Sequence, residues 1–165
     1  TGPVGLRAAE LLALENAQVT LVSRTNDRAA AACRTIQEKV TSARVQPAEA
    51  SQPAEFARLC EGHQIIVAAG AAGACFLEAG ALGKLTALKL AIDLNAVPPA
   101  GLADVGVMDK AVEKLGVICY GALGVGGLKM KVQKQAVASL FTSNSACLET
   151  RALYALALQV AGLNS

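Results

Sequence analysis

The chain has almost no excess of either charge. Its 165 residues carry 15 Lys+Arg against 13 Asp+Glu, a formal net charge of +2. No basic run or aromatic interleaving marks a nucleic-acid surface. Aromatics make up only 3% of a chain that is 53% hydrophobic, and Ala and Gly supply much of the larger share. Long apolar runs are missing too. The stretch from Ile65 to Leu77 is interrupted by glycine and closed by Glu78, well short of the about 20 residues that span a membrane. No charged start followed by an apolar run reads as a secretory signal. The five cysteines, Cys33, Cys60, Cys75, Cys119 and Cys147, stand far apart. They form no Cys-x-x-Cys or Cys/His cluster, so no metal site is expected. An odd count of such thiols fits a reduced, cytoplasmic protein. The length suits one domain with a single core.

What is present is an alternation of strand and helix patterns. Val4, Ala8, Leu11 and Leu12 fall at helical spacing, and the pattern runs out near Glu15-Asn16. Val19 to Val22 reads as a buried strand. Asn26 or Thr25 can cap a helix from Asp27 to about Val40. Val45 begins a short strand that Pro47 is expected to end, and Pro53 opens a helix reaching about Glu61. Ile65 to Ala69 is the clearest strand, followed by a short helix over about Cys75 to Leu82. Leu88 to Leu94 and Val117 to Tyr120 are further strands. A glycine-rich bend, Gly121 to Gly127, leads to a helix holding Leu128, Val132, Ala136 and Leu140. Asn144 or Ser145 is placed to cap a last helix from about Leu148 to Ala161. Strands alternating with helices predict a doubly wound α/β domain with a parallel sheet.

Thr1-Gly2-Pro3-Val4-Gly5 has the form x-G-x-x-G at a helix start. One more glycine ahead of it would complete the dinucleotide fingerprint. There Gly2 lets backbone approach a pyrophosphate, Gly5 lets helix pack on strand, and the helix N-terminus holds the anion. A plain tight turn has the same two glycines. The cofactor-selecting place about 20 residues on holds Ser23-Arg24-Thr25, with Arg28 one helical turn further and no acid. Arginine there suits the 2′-phosphate of NADP, with NAD the alternative. The chain opens on this turn without an initiator methionine. We therefore expect its beginning, including the first and central strand of the order 3-2-1-4-5-6, to be missing.

Other chemistry is sparse. His63 precedes a strand and reads as a surface residue away from the ligand edge. Asp93 either orients a loop or is a buried, paired carboxylate. No Ser-His-Asp set or informative carboxylate pair is present. Hydride transfer from a carbon flanked by amines needs no acid or base, whereas alcohol oxidation does. The loops Asn95 to Pro99 and Gly121 to Lys129 both follow strands and fall on the ligand side. At about 100° per residue, Lys131 and Lys134 share a solvated face, while Lys129 points away from them and can face a crevice or solvent.

These segments together resemble the NAD(P)-dependent methylene-tetrahydromethanopterin dehydrogenases. The resemblance is carried by Thr1 to Gly5, Ser23-Arg24, Val67 to Ala71, Asp93 to Pro99 and Gly121 to Lys131, nearly the whole chain in order. It implies a Rossmann-like NAD(P)-binding domain at 1–143. Residues 144–165 would be a C-terminal helix packing on that domain or on an absent N-terminal substrate domain. It implies oxidation of a methylene-tetrahydropterin to the methenyl form by NADP in one-carbon metabolism, in a homo-oligomer, with a tetrahydropterin carrier as partner. By that analogy Thr1, Gly2, Pro3, Val4, Gly5, Ser23, Arg24 and Arg28 hold the cofactor. Ala69, Gly70, Ala71 and Asn95 lie near its nicotinamide, and Lys129 faces the pterin. A folate-specific dehydrogenase, a shikimate-dehydrogenase-like enzyme and a non-catalytic NADPH-sensing module are the alternatives.

Overall fold

A computed structural model describes residues 2–142, 145 and 147–163, so Thr1 and Asn144 lie outside the described residues. Gly2, in an extended conformation, leads into α1 (Pro3–Leu14), with Pro3 at a first-turn position that has no hydrogen bond to lose. Asn16, at φ 61°, closes the helix. The Ala17 amide reaches back to the Leu12 carbonyl at 3.0 Å, and the Asn16 amide to Ala13 at 3.1 Å, a Schellman closure. The chain then enters β1 (Gln18–Ser23), α2 (Asn26–Lys39) and β2 (Arg44–Glu49). β2 pairs in parallel with β1 from Gln18↔Arg44 to Ser23↔Glu49. Pro47 does not end β2. Among the described residues the strand pairs only with β1, so the amide that proline lacks can face away from the ladder.

The capping of α2 also departs from expectation. Thr25 occupies the N-cap in an extended conformation but makes no side-chain cap bond. The Asn26 amide instead donates to the Glu49 carboxylate at 2.8 Å. α3 (Pro53–Cys60) starts on a capping box formed by Gln52 and Glu55.

A second sheet has the order β3 (Ile65–Ala68), β4 (Leu90–Asp93), β6 (Val117–Tyr120), β5 (Lys110–Lys114). The first two pairings are parallel, whereas β5 and β6 form an antiparallel hairpin that the sequence reading missed. Leu115 and Gly116 both have positive φ, at 53° and 79°, as a two-residue hairpin turn with the sheet's own twist requires. The helix expected over Cys75 to Leu82 is absent. The amides of Phe76 and Leu77 donate to the Gly101 carbonyl, and those of Gly80 and Leu82 donate to the Asp104 carboxylate. Those partners hold the segment as irregular chain, with one 3-10 turn at Leu82–Lys84.

The chain divides into two compact units, Thr1–Gly124 and Val125–Ser165. The first contains both sheets and two cores. One gathers Ala9, Ala13, Leu21, Ala32, Cys33, Ile36 and Val40, and the other is built on Leu77, Leu82, Leu85, Leu88, Leu102 and their neighbours. Between the facing edges of β1 and β3, Thr20 Oγ1 and His63 Nε2 lie 3.1 Å apart. In the second unit α4 (Gly126–Leu140) packs with α5 (Thr150–Ala161). α5 starts after Glu149, so Ser145 does not cap it. All five cysteines are free thiols, and burial pushes the Cys60 thiol up to about 11. Among the described residues no helix is long and apolar enough to cross a membrane.

Candidate functional site

Direction of chain decides which residues share an edge. α1 runs into the amino end of β1, so its own N-terminus returns to the carboxyl ends of the parallel strands. There Gly5 comes against the loop that follows β3. A Cβ built on Gly5 would stand 3.6 Å from that of Ala69, in ordinary contact, whereas one on Gly2 would meet nothing within 4 Å. The helix-starting turn is thus packed on one side and open on the other. Ser23, at the end of β1, is buried, while Arg24 and Arg28 are exposed. Neither arginine has an ion-pair partner among the described residues.

The loop after β3 is fixed by one ring. Gly70 lies so close to Phe76 that any side chain there would overlap it, and a Cβ on Gly101 would stand 3.1 Å from the same ring. Phe56 meets Phe76 edge-on, with centroids 5.0 Å apart. The loop after β4 is fixed by Asp93, which is 2% exposed. Its two carboxylate oxygens accept the amides of Asn95 at 2.9 Å and Leu102 at 2.8 Å, one at each end of the loop. Of the two roles the sequence left open for Asp93, orienting the loop is the one these bonds perform. Asn95 spends its side chain within the same loop, accepting from Val97 at 3.0 Å and donating to the Pro99 carbonyl at 3.4 Å.

The glycine-rich bend splits into two roles. Gly121 and Gly124 pass so close to the carbonyls of Gly106 and Asp109 that a Cβ on either would collide with backbone. The Gly121 amide donates to Asp109 and that of Leu123 to Val107, both at 2.9 Å. Gly126 and Gly127 begin α4, where Lys129 is exposed on the second unit. In the hairpin, burial raises the Asp109 carboxyl, but the Lys114 ammonium at 2.6 Å and the Gly106 amide at 2.7 Å more than offset it and hold its pKa below the ordinary value.

His63 lies at the amino end of β3, away from these loops. It is half-buried rather than a plain surface residue and bonds Thr20. A polar cavity of about 240 Å³ opens at that end, lined by Gln18, Thr20, Gln46 and Glu61 to Gln64; ligands of α/β sheets bind at the opposite edge. Among the described residues no group of three His, Cys, Asp or Glu side chains could hold a metal ion. Sequence reasoning missed Phe76 and Glu49. The register Ser23↔Glu49 puts the latter beside the arginine turn, and no local pattern announces it.

The carboxyl ends of β1, β3 and β4 thus lead into Ser23 to Arg28, Ala69 to Ala71 and Asn95, and Gly5 of α1 meets Ala69 there. No protein-family model matches the chain. It is 36% identical over 147 residues to the bifunctional protein MdtA of Methylorubrum extorquens, covering 89% of this chain and 51% of that protein. It is 30% identical over 164 residues to the NAD(P)-dependent methylenetetrahydromethanopterin dehydrogenase of the same organism, covering 98% and 55%. The chain spans about half the length of these curated relatives.

Proposed function

We propose that this chain is the cofactor-binding part of a methylene-tetrahydropterin dehydrogenase of the methylene-tetrahydromethanopterin family, passing a hydride to NADP. The observation that carries the reading is the α1 turn, packed against Ala69 but open at Gly2, in a chain that matches one relative named as such a dehydrogenase over 98% of its length. The two sheets then belong to one doubly wound sheet, with a further parallel strand between β1 and β3 that displaces the Thr20–His63 bond spanning that gap. Support for that comes from the facing edges of β1 and β3, each paired on one side only among the described residues.

The residues fit the cofactor. The amides of the first turn of α1 have no partners within the helix and are free to face a pyrophosphate, while Gly2 leaves room for it. Arg24 and Arg28 offer two exposed guanidinium groups to a 2′-phosphate. Gly70 and Asn95, held by Phe76 and Asp93, border the nicotinamide, and Lys129 faces the pterin. When bound, the nicotinamide supplies the hydride acceptor. Hydride loss from a carbon between two amine nitrogens leaves a cation that those nitrogens stabilise, so the chain's task is to bind, orient and exclude water. Residues 1–143 form the cofactor domain and 144–165 a C-terminal helix packing on that domain or on an N-terminal substrate domain, in a cytoplasmic homo-oligomer.

The test is absorbance at the reduced-nicotinamide band with full-length protein and methylene-tetrahydromethanopterin. Reduction of NADP is expected, and faster than with methylene-tetrahydrofolate. No reduction with either pterin, on protein that folds cooperatively, would refute the assignment.

A further inference from the structure

The turn read as the NADP-selecting one carries Asp27 beside its two arginines and takes a second carboxylate, Glu49, from a distant strand. Glu49 ends β2 directly beside Ser23, the last residue of β1. The Ala50 amide extends that pairing by bonding the Ser23 carbonyl at 3.0 Å. From there the Glu49 carboxylate reaches the Asn26 amide at 2.8 Å. Asn26 stands two residues after Arg24 and two before Arg28, so carboxylate and guanidinium groups belong to one turn. Glu49 is exposed.

We infer that Glu49 is a specificity-determining residue that opposes NADP, holding the cofactor preference below what Arg24 and Arg28 alone would set. This rests on the proposed cofactor site. A 2′-phosphate carries about −1.5 to −2 at neutral pH, whereas NAD has a neutral hydroxyl in its place. A dianion about 6 Å from a carboxylate in water is disfavoured roughly tenfold, falling to roughly threefold at physiological ionic strength. The same carboxylate can accept a bond from the NAD hydroxyl, so its removal offers NAD nothing.

The experiment titrates NADPH and NADH separately into full-length wild type, Glu49→Gln and Glu49→Ala, at low and physiological salt, with melting curves alongside. Glu49→Gln keeps an acceptor for the Asn26 amide and carries the test if Glu49→Ala fails to fold. The expected result is a rise in the NADPH-to-NADH affinity ratio of roughly tenfold at low salt and roughly threefold at physiological salt. The melting temperature of Glu49→Gln should stay unchanged. A group that only caps α2 would alter melting and leave the ratio alone. An unchanged ratio in protein whose wild type binds cofactor overturns the inference and leaves the site standing. A wild type that binds neither cofactor removes the site and the inference together.

Discussion

The core of the first unit around β1 and β2 sets three alanines among larger residues, whereas the core around β3, β4 and β6 is built on five leucines. Ala9, Ala13 and Ala32 let α1 and α2 lie close to β1, which brings both helix starts to one edge. The charged groups at that edge, Arg24, Arg28 and Glu49, stay exposed. In the other half the groups that hold the loops are internal: Asp93 is buried, and the Phe76 ring fills the space between Gly70 and Gly101. Substitution of those exposed groups in the first half is therefore expected to leave its fold intact. In the other, altering a loop means altering the core.

The sharpest way to break this contrast is Asp93→Ala. It leaves the amides of Asn95 and Leu102 without their acceptor, at about 1–3 kcal/mol for each buried donor. Urea unfolding of full-length protein should show a loss of about 2–6 kcal/mol, with Asp93→Asn losing roughly half because it keeps one acceptor. A loss under about 0.5 kcal/mol would mean that the second half is not pinned from within.

Arg24→Ala probes the first half and should do the reverse. Unfolding should stay unchanged, because the side chain is exposed and unpaired among the described residues. NADP preference should fall about 10- to 150-fold, the equivalent of one charge-assisted bond of about 1.5–3 kcal/mol. NAD kinetics should hardly move, and the loss should shrink in high salt. Equal losses for both cofactors would make Arg24 a structural residue.

The smallest effect is one of pH and belongs to the second half. The Asp109 pKa is held below its ordinary 3.8 by Lys114 and Gly106 despite burial. Its contribution is present above that value and lost as pH falls through the lower folded one. Asp109→Asn should flatten the acid limb of the stability curve below about pH 4 by less than about 1 kcal/mol. An unaltered limb would contradict the pairing.

Most of this fold could be read locally. Helical spacing located α1 and α4, cap residues pointed to α2 and α5, and apolar or β-branched runs located β1, β3, β4 and β6. What escaped was determined by distant partners. Lys110 to Lys114 has no alternation of apolar and polar residues and is a strand because β6 pairs with it. Pro47 continues β2 because of its place at an edge. Cys75 to Leu82 stays irregular because Gly101 and Asp104 take its amides. The candidate site divides the same way. Its glycines and arginines stand out in sequence, whereas Glu49 and Phe76 reach their places through register and packing.

The central claim, that the α1 turn receives the cofactor's pyrophosphate, is tested most directly by Gly2→Val. The protein itself leaves the space beside Gly2 empty and its φ is −76°, so folding should tolerate the side chain. Titration with NADPH and NADH, beside a melting curve, should show affinity for both falling at least about tenfold, or 1.4 kcal/mol, with melting unchanged. Retention of wild-type affinity for both cofactors would place the pyrophosphate elsewhere and contradict the account.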